Sequence, residues 1–135
     1  GIQWADFDSD GDLDLSLTEG YNMAGRHPVI KNLLNEGRQT QSLQVILLDK
    51  NGVANKAGSE VRVFDTAGNL LGLRLITTGD GYNSQSNQAV HFGLADINEV
   101  TVEAVFLTTE GRKKQRIENI RPADFVGDIL TITQN

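Results

Sequence analysis

The chain has 135 residues, about the length of one ordinary domain, and it contains no cysteine. The lack of thiols excludes disulfides, thiolate zinc sites, iron–sulfur clusters and a cysteine nucleophile. The net charge is −6, and residues 1–20 carry this whole excess because they hold six of the eighteen acids and neither Lys nor Arg. A negative field this concentrated attracts cations and disfavours nucleic acid as a partner.

Short stretches of Val, Ile, Leu and Thr alternate with turn residues along the chain, which is the pattern of an all-β protein. Two short strands are expected on either side of an acidic turn, at 2–6 and 13–18, followed by a loop over 19–27 and a strand or helical turn over 29–35. After a polar segment the alternation becomes regular, and it predicts strands near 43–48, 61–63, 70–76, 89–94, 100–106, 112–118 and 129–133.

The seven strands predicted after residue 40 indicate the fold class. Most have one apolar face, and an antiparallel β-sandwich buries such faces economically, with a small barrel as the alternative. The stretch 43–48 is apolar almost throughout, so we expect it to be central in its sheet. The stretch 112–118 is very polar, so we expect it at a sheet edge, where charge blocks pairing with other chains.

The strongest functional signal is the acidic run D-F-D-S-D-G-D-L-D at residues 6–14. Calcium takes about six to eight oxygen ligands in flexible geometry, and alternate residues of a curling chain can direct their side chains to one point. Gly11 permits the backbone reversal that such a loop needs, and the carbonyl of residue 12 can then face the ion. The predicted metal ligands are Asp6, Asp8, Asp10, Asp12 and Asp14.

The run differs from an EF-hand, which needs a Glu at the twelfth position of the loop. Counted from Asp6, that position is Leu17, and a strand is expected there instead of a helix. The sequence therefore predicts a calcium loop between two β-strands. Two alternatives remain, a solvated acidic turn and paired carboxylates that act as acid and base. Repulsion among the aspartates opposes the first, and the second lacks a nearby nucleophile or histidine, so no enzyme is expected.

Residues 4–15 (W-A-D-F-D-S-D-G-D-L-D-L) resemble the calcium hairpin of FG-GAP/VCBS repeats, which form the blades of integrin-like β-propellers. Residues 30–37 (I-K-N-L-L-N-E-G) resemble the segment that follows such a hairpin. Two later stretches resemble the ASPIC/UnbV family: N-K-A-G-S-E-V-R-V at 55–63, and G-D-G-Y-N-S-Q-S at 79–86 with V-H-F-G-L at 90–94. The chain departs from that family's pattern at 107–111, where L-T-T-E-G replaces a W-P-x-G turn, and at Ala95, where a Gly is usual.

The resemblance implies two parts, a partial propeller blade with a linker over 1–40 and an ASPIC/UnbV-like β domain over 41–135. It implies a non-catalytic, calcium-binding interaction or adhesion module, secreted or at the cell surface, with a protein or glycan partner. No apolar run approaches the ~20 residues of a membrane span, so none is expected. The first residue is Gly1 and not an initiator methionine, so we expect a piece of a longer exported protein.

The alternative function is a carbohydrate-binding accessory domain of a secreted hydrolase. Its site would be lined by Tyr82, Gln85 and His91, with the tyrosine stacked on a sugar ring. A structural interpretation of the same residues is a loop that satisfies its own backbone and a half-buried, hydrogen-bonded histidine. The basic run at 112–116 has the same two interpretations, either a solvated strand edge or a patch for an acidic partner.

Overall fold

A computed structural model describes residues 1–18, 25, 27–33, 42–54, 56–79 and 89–135. The described residues form ten strands in three sheets and one short 3₁₀ helix, Pro122–Phe125. The strands are β1 (Ile2–Ala5), β2 (Asp14–Leu17), β3 (Val29–Ile30), β4 (Ser42–Leu48), β5 (Glu60–Phe64), β6 (Leu70–Leu75), β7 (Val90–Gly93), β8 (Val100–Thr108), β9 (Gly111–Ile120) and β10 (Leu130–Thr133). Within these ranges no helix is long and apolar enough to cross a membrane.

Two of the sheets form a sandwich around a single apolar core. One sheet has the order β10-β4-β7 and the other the order β6-β5-β8-β9. Alternate residues of both sheets point into the shared interior, because successive side chains of a strand lie on opposite faces. The buried side chains that meet there are Leu43, Val45, Leu47, Val61, Val63, Phe92, Val100, Val102, Ala104, Phe106, Leu130 and Ile132. The predicted all-β sandwich is confirmed, and the described strands do not close into a barrel.

The pairing of β10 with β4 differs from the antiparallel arrangement expected for the sandwich. The two strands run parallel, with Leu130 opposite Val45 and Thr133 opposite Leu48. A parallel neighbour requires a long crossover, and the chain between β4 and β10 supplies one by building the whole opposite sheet. Strand β4 thereby lies between β10 and β7, which confirms its predicted central position.

The two edges of the four-stranded sheet differ in chemistry. Strand β9 lies at one edge, as predicted from its polarity, and it follows β8 through a tight hairpin in which Thr108 pairs with Gly111. Strand β6 lies at the other edge and leaves its leucines 38% to 54% exposed. Close approach of β7 is permitted there by Gly72, where an added Cβ would lie 3.1 Å from the ring of Phe92.

The N-terminal sheet, in the order β1-β2-β3, is a hairpin with a short third strand. The acidic run connects β1 to β2, as the sequence predicted. The register places Trp4 opposite Leu15 and Leu15 opposite Ile30, so these side chains share one face. Of the segment expected as a strand or helical turn over 29–35, Val29 and Ile30 are a strand. Residues 19–24, 26 and 34–41 lie outside the described part of the chain.

A turn after β7 holds one non-glycine residue in the left-handed region. The amide of Ile97 donates to the carbonyl of Leu94 at 3.1 Å, and Ala95 has φ +48°. A positive φ at the first central position alone is the pattern of a type II′ turn, which favours Gly there. Ala95 is also one of the positions at which the sequence departs from the family pattern.

We expect Ala95→Gly to stabilise the fold by about 0.5–1 kcal/mol, because the cost of the left-handed conformation for a residue with a Cβ exceeds the added entropy of an unfolded Gly. Thermal unfolding measures the change. The matched control is Ala67→Gly, in an exposed turn at a position without a positive φ, which should be neutral or destabilising. A lower melting temperature for Ala95→Gly than for the parent chain contradicts the prediction.

Candidate metal centre

The loop between β1 and β2 reverses direction through two residues in the left-handed region. Ser9 has φ +60° and Gly11 has φ +91°. The conformation of Gly11 is the one that the sequence pattern required of it, whereas Ser9 carried no such signal. These two turns fold residues 6–13 back on themselves, so the aspartates at either end of the loop approach each other.

Asp6, Asp8 and Asp14 form a group that could hold a metal ion. Each offers one carboxylate oxygen, and the three oxygens lie within 4.8 Å of one another. Calcium–oxygen distances are about 2.3–2.6 Å, so oxygens on a single ion can be up to about 5 Å apart. The separation therefore fits one shared cation. Asp14 is only 2% exposed, whereas Asp8 is exposed, so the group opens to solvent on one side.

The carboxylate of Asp6 is held by donors from its own loop. Its Oδ1 accepts from the amide of Asp10 at 3.1 Å, and its Oδ2 accepts from the amide of Gly11 at 3.1 Å. A carboxylate has about four acceptor sites on its two oxygens, so these two bonds and a third from Gln44 leave capacity for a cation. The bonds fix the direction of the first aspartate of the loop.

Asp14 joins the loop to the segment after β3. Its Oδ2 accepts from the amide of Phe7 at 3.0 Å, and its Oδ1 accepts from the amide of Asn32 at 2.8 Å. The side-chain amide of Asn32 also donates to the carbonyl of Leu13 at 3.3 Å. The buried carboxylate of Asp14 thus links the start of the loop, at Phe7, to the segment that follows β3, at Asn32.

A lysine contacts the open side of the group. The ammonium of Lys31 lies 2.5 Å from Oδ2 of Asp8 and 3.3 Å from Oδ2 of Asp10. The hydrogen bond from this ammonium holds the pKa of Asp8 below its ordinary value, and the same contact raises the pKa of Lys31. Sequence reasoning missed Lys31, although it lies in the stretch that resembles the segment after a calcium hairpin.

The five predicted ligands therefore divide into two sets. Asp6, Asp8 and Asp14 come together, while Asp10 lies outside this group, shares the contact with Lys31 and accepts from the amide of Asp12 at 3.2 Å. Asp12 is buried, with 3% of its surface exposed. A metal ion bound to the group would be held first by the three clustered carboxylates.

The sandwich contributes two donors to this loop. Nε2 of Gln44, on β4, donates to Oδ2 of Asp6 at 2.8 Å. Nε2 of His91, on β7, lies 2.9 Å from the carbonyl oxygen of Gly11. A carbonyl can only accept, so this ring nitrogen carries the hydrogen. Gln44 interrupts the apolar run at 43–48, and this was the available signal for the contact with Asp6.

The predicted sugar site is described only in part. His91 is half-buried and contacts the acidic loop, while Tyr82 and Gln85 lie outside the described residues. The carbohydrate hypothesis stays a prediction.

The basic run on β9 faces carboxylates of the same sheet. Each of the four cations has a partner within 3.5 Å: Arg112 with Glu60, Lys113 with Glu110, Lys114 with Glu103, and Arg116 with Glu118. Glu60 also accepts from a guanidinium nitrogen of Arg62 at 2.7 Å. The hydrogen bond from Arg62, and then the charge of Arg112, hold the pKa of Glu60 below its ordinary value of 4.5. The structure thus shows a charge-balanced sheet face.

The fold and the loop together define an all-β module with an acidic loop that could hold a metal ion. The chain belongs to the ASPIC and UnbV family, whose sequence profile matches residues 49–135. It is similar to cartilage acidic protein 1 of Xenopus tropicalis, with 33% identity over 101 residues, and to the Homo sapiens protein of the same name, with 32% identity over 101 residues. These matches cover 75% of the chain and 15% of each relative. No solved structure matches the chain.

The ion pairs of Glu60 predict a pH-dependent stability. Because its pKa is lower in the folded chain than the ordinary 4.5, its contribution is complete above that value and is lost as the pH falls through the folded pKa. We therefore expect Glu60→Gln to lower the melting temperature at about pH 7 and to change it less at about pH 3.

The matched control for this prediction is Glu118→Gln. The side chain of Glu118 is 64% exposed, and such surface pairs contribute little, so its effect should be small at both pH values. Equal losses for Glu60→Gln at the two pH values contradict the prediction.

Proposed function

We propose that the chain is a non-catalytic, calcium-binding module of a secreted or cell-surface protein and that it acts in adhesion or another protein interaction. The observation that carries the proposal is the group of three carboxylate oxygens within 4.8 Å of one another in a loop whose backbone reverses at Gly11. Carboxylate and carbonyl oxygens are the ligands that calcium prefers. When bound, the ion would offset part of the negative charge of the loop and fix its conformation.

Calcium is favoured over magnesium by the character of the loop. Magnesium demands near-ideal octahedral geometry and usually keeps several waters, with one or two protein carboxylates. Here three carboxylates from a single hairpin loop converge, and further aspartates flank them in sequence. This dense supply of oxygens suits the larger ion with its flexible coordination shell.

The family and its relatives support an extracellular location. The matched relatives are named cartilage acidic protein 1, and cartilage is a tissue rich in extracellular matrix. Weak calcium sites are useful outside cells, where millimolar calcium keeps them filled. The chain spans 15% of these relatives, so the activity of the complete protein is part of the proposal.

We propose further that residues 1–40 are the end of an FG-GAP/VCBS repeat and that residues 41–135 are the ASPIC/UnbV-like domain. The N-terminal sheet supports this division through its exposed apolar face. Ile2 is 63% exposed, Trp4 58% and Ile30 50%. Contiguous exposed apolar side chains mark interaction surfaces, and we assign this one to a neighbouring repeat of the same longer protein.

The exposed face predicts a fluorescence signature, because Trp4 is the single tryptophan of the chain. In this 135-residue chain its emission should be that of a water-exposed indole, and acrylamide should quench it efficiently. In a longer protein that includes the preceding residues, with other tryptophans replaced by Phe, the emission should shift to the blue and quenching should fall. Equal quenching in both proteins contradicts the assignment to a neighbouring repeat.

Calcium binding itself is tested by calorimetric titration of the chelator-stripped chain. We expect one site with a dissociation constant between about 1 μM and 1 mM. Asp8→Ala should weaken binding at least about tenfold, because it removes an exposed carboxylate ligand, and it should lower the melting temperature in calcium but not in chelator. No heat of binding for the parent chain contradicts the proposal.

Two further variants test whether the charge next to the loop controls its calcium affinity. Lys31→Met removes the ammonium next to Asp8 and should tighten calcium binding, since a nearby positive charge opposes a dication. Glu118→Gln removes one negative charge, as Asp8→Ala does, but it lies on β9 of the four-stranded sheet. This variant should leave the calcium affinity unchanged. Weaker binding by Lys31→Met would contradict the assigned position of the ion.

A further inference from the structure

The β10-β4-β7 sheet of the sandwich carries two neighbouring polar side chains on its outer face. Gln44 on β4 and His91 on β7 are directly opposite each other in the antiparallel register. Their neighbours Leu43, Val45 and Phe92 are buried in the core. Since successive residues of a strand alternate between faces, Gln44 and His91 both point away from the core.

Each of the two side chains contacts a different part of the acidic loop. Gln44 donates to the carboxylate of Asp6 at 2.8 Å, and His91 is 2.9 Å from the carbonyl of Gly11. The turn between the 3₁₀ helix and β10 also lies close to the loop, since a Cβ added at Gly127 would be 3.8 Å from the carbonyl oxygen of Ser9. The loop is therefore seated on the outer face of the sandwich and is not held by its own hairpin alone.

The chemistry of the two donors suits a role in positioning a cation site. The amide of Gln44 is neutral, so it orients the carboxylate of Asp6 without cancelling the charge that attracts a cation. The backbone of the loop reverses at Gly11, which has φ +91°. His91 contacts the carbonyl of this residue and so holds the reversal in place. Outer contacts of this kind orient the groups that bind a metal and thereby tune its affinity.

We propose that Gln44 and His91 are positioning residues of the calcium loop, so that calcium binding at residues 6–14 and the stability of the sandwich are coupled. This inference rests on the proposed calcium function. Coupling between a binding site and a folded element is reciprocal: donors that preorganise the loop increase calcium affinity, and bound calcium stabilises the sheet that carries the donors.

The test is a calorimetric calcium titration of the full chain with Gln44→Leu, His91→Phe and the double variant, which keep side-chain volume but remove the donors. Each single variant should weaken binding by about fivefold, and the double variant by about tenfold to a hundredfold. The melting temperature in chelator should change little, because the lost contacts are polar and peripheral to the core. This separates a positioning role from a general loss of structure.

The matched control is Thr131→Ala. Thr131 is exposed on β10 of the same sheet, next to Ile46 in the register, and has no described contact with residues 6–14. Its calcium affinity should equal that of the parent chain. Parent-like affinity in the double variant overturns this inference and leaves calcium binding intact, whereas the absence of binding by the parent chain overturns the calcium proposal and this inference together.

A measurement on the unmodified chain keeps the inference testable if a variant fails to fold. Hydrogen–deuterium exchange with calcium and with chelator reports which strands the ion protects. Calcium should slow exchange in peptides from β4 and β7 as well as in the loop, and should leave β9 unchanged. Protection confined to residues 1–33 would overturn the coupling while supporting calcium binding.

Discussion

Five aspartates within nine residues repel one another, and the architecture of the N-terminal part depends on how that repulsion is opposed. Backbone amides of the loop donate to the carboxylate of Asp6, and the carboxylate of Asp14 accepts from the amide of Asn32, which follows β3. Lys31 supplies a compensating charge at the open side. Gln44 of the sandwich also donates to the carboxylate of Asp6. The hairpin is thus attached to the rest of the chain largely through contacts to its acids.

The sequence carried enough local information to predict the sandwich and its strands. Alternation of apolar and polar residues identified the interior faces of β5 and β8, the almost continuous apolar run identified β4 as central, and the density of charge identified β9 as an edge. The turn at Gly11 was predictable too, because a loop that converges alternate carboxylates needs a left-handed residue. In each case the determining physics acts between residues close together in the chain or within one strand.

Features that depend on distant segments were not predictable from the pattern. The parallel direction of β10 follows from the path of the whole chain and has no local signature. Contact between His91 and Gly11 joins residues far apart in sequence, so spacing could show only that the ring faces away from the core. The basic run was equally ambiguous: its charge is visible in sequence, but its neutralisation by Glu60 and Glu103 is a consequence of strand register.

The crossover that places β10 beside β4 bears on the order in which the protein can fold. Ribosomal synthesis completes β4 early, yet one of its edges stays unpaired until residues 130–133 have emerged. Until then Val45 and Leu47 lack the apolar neighbours that Leu130 and Ile132 provide. Closure of the core is therefore a late event, dominated by long-range contacts that form slowly, and the nascent chain carries an open strand edge on which other chains can pair.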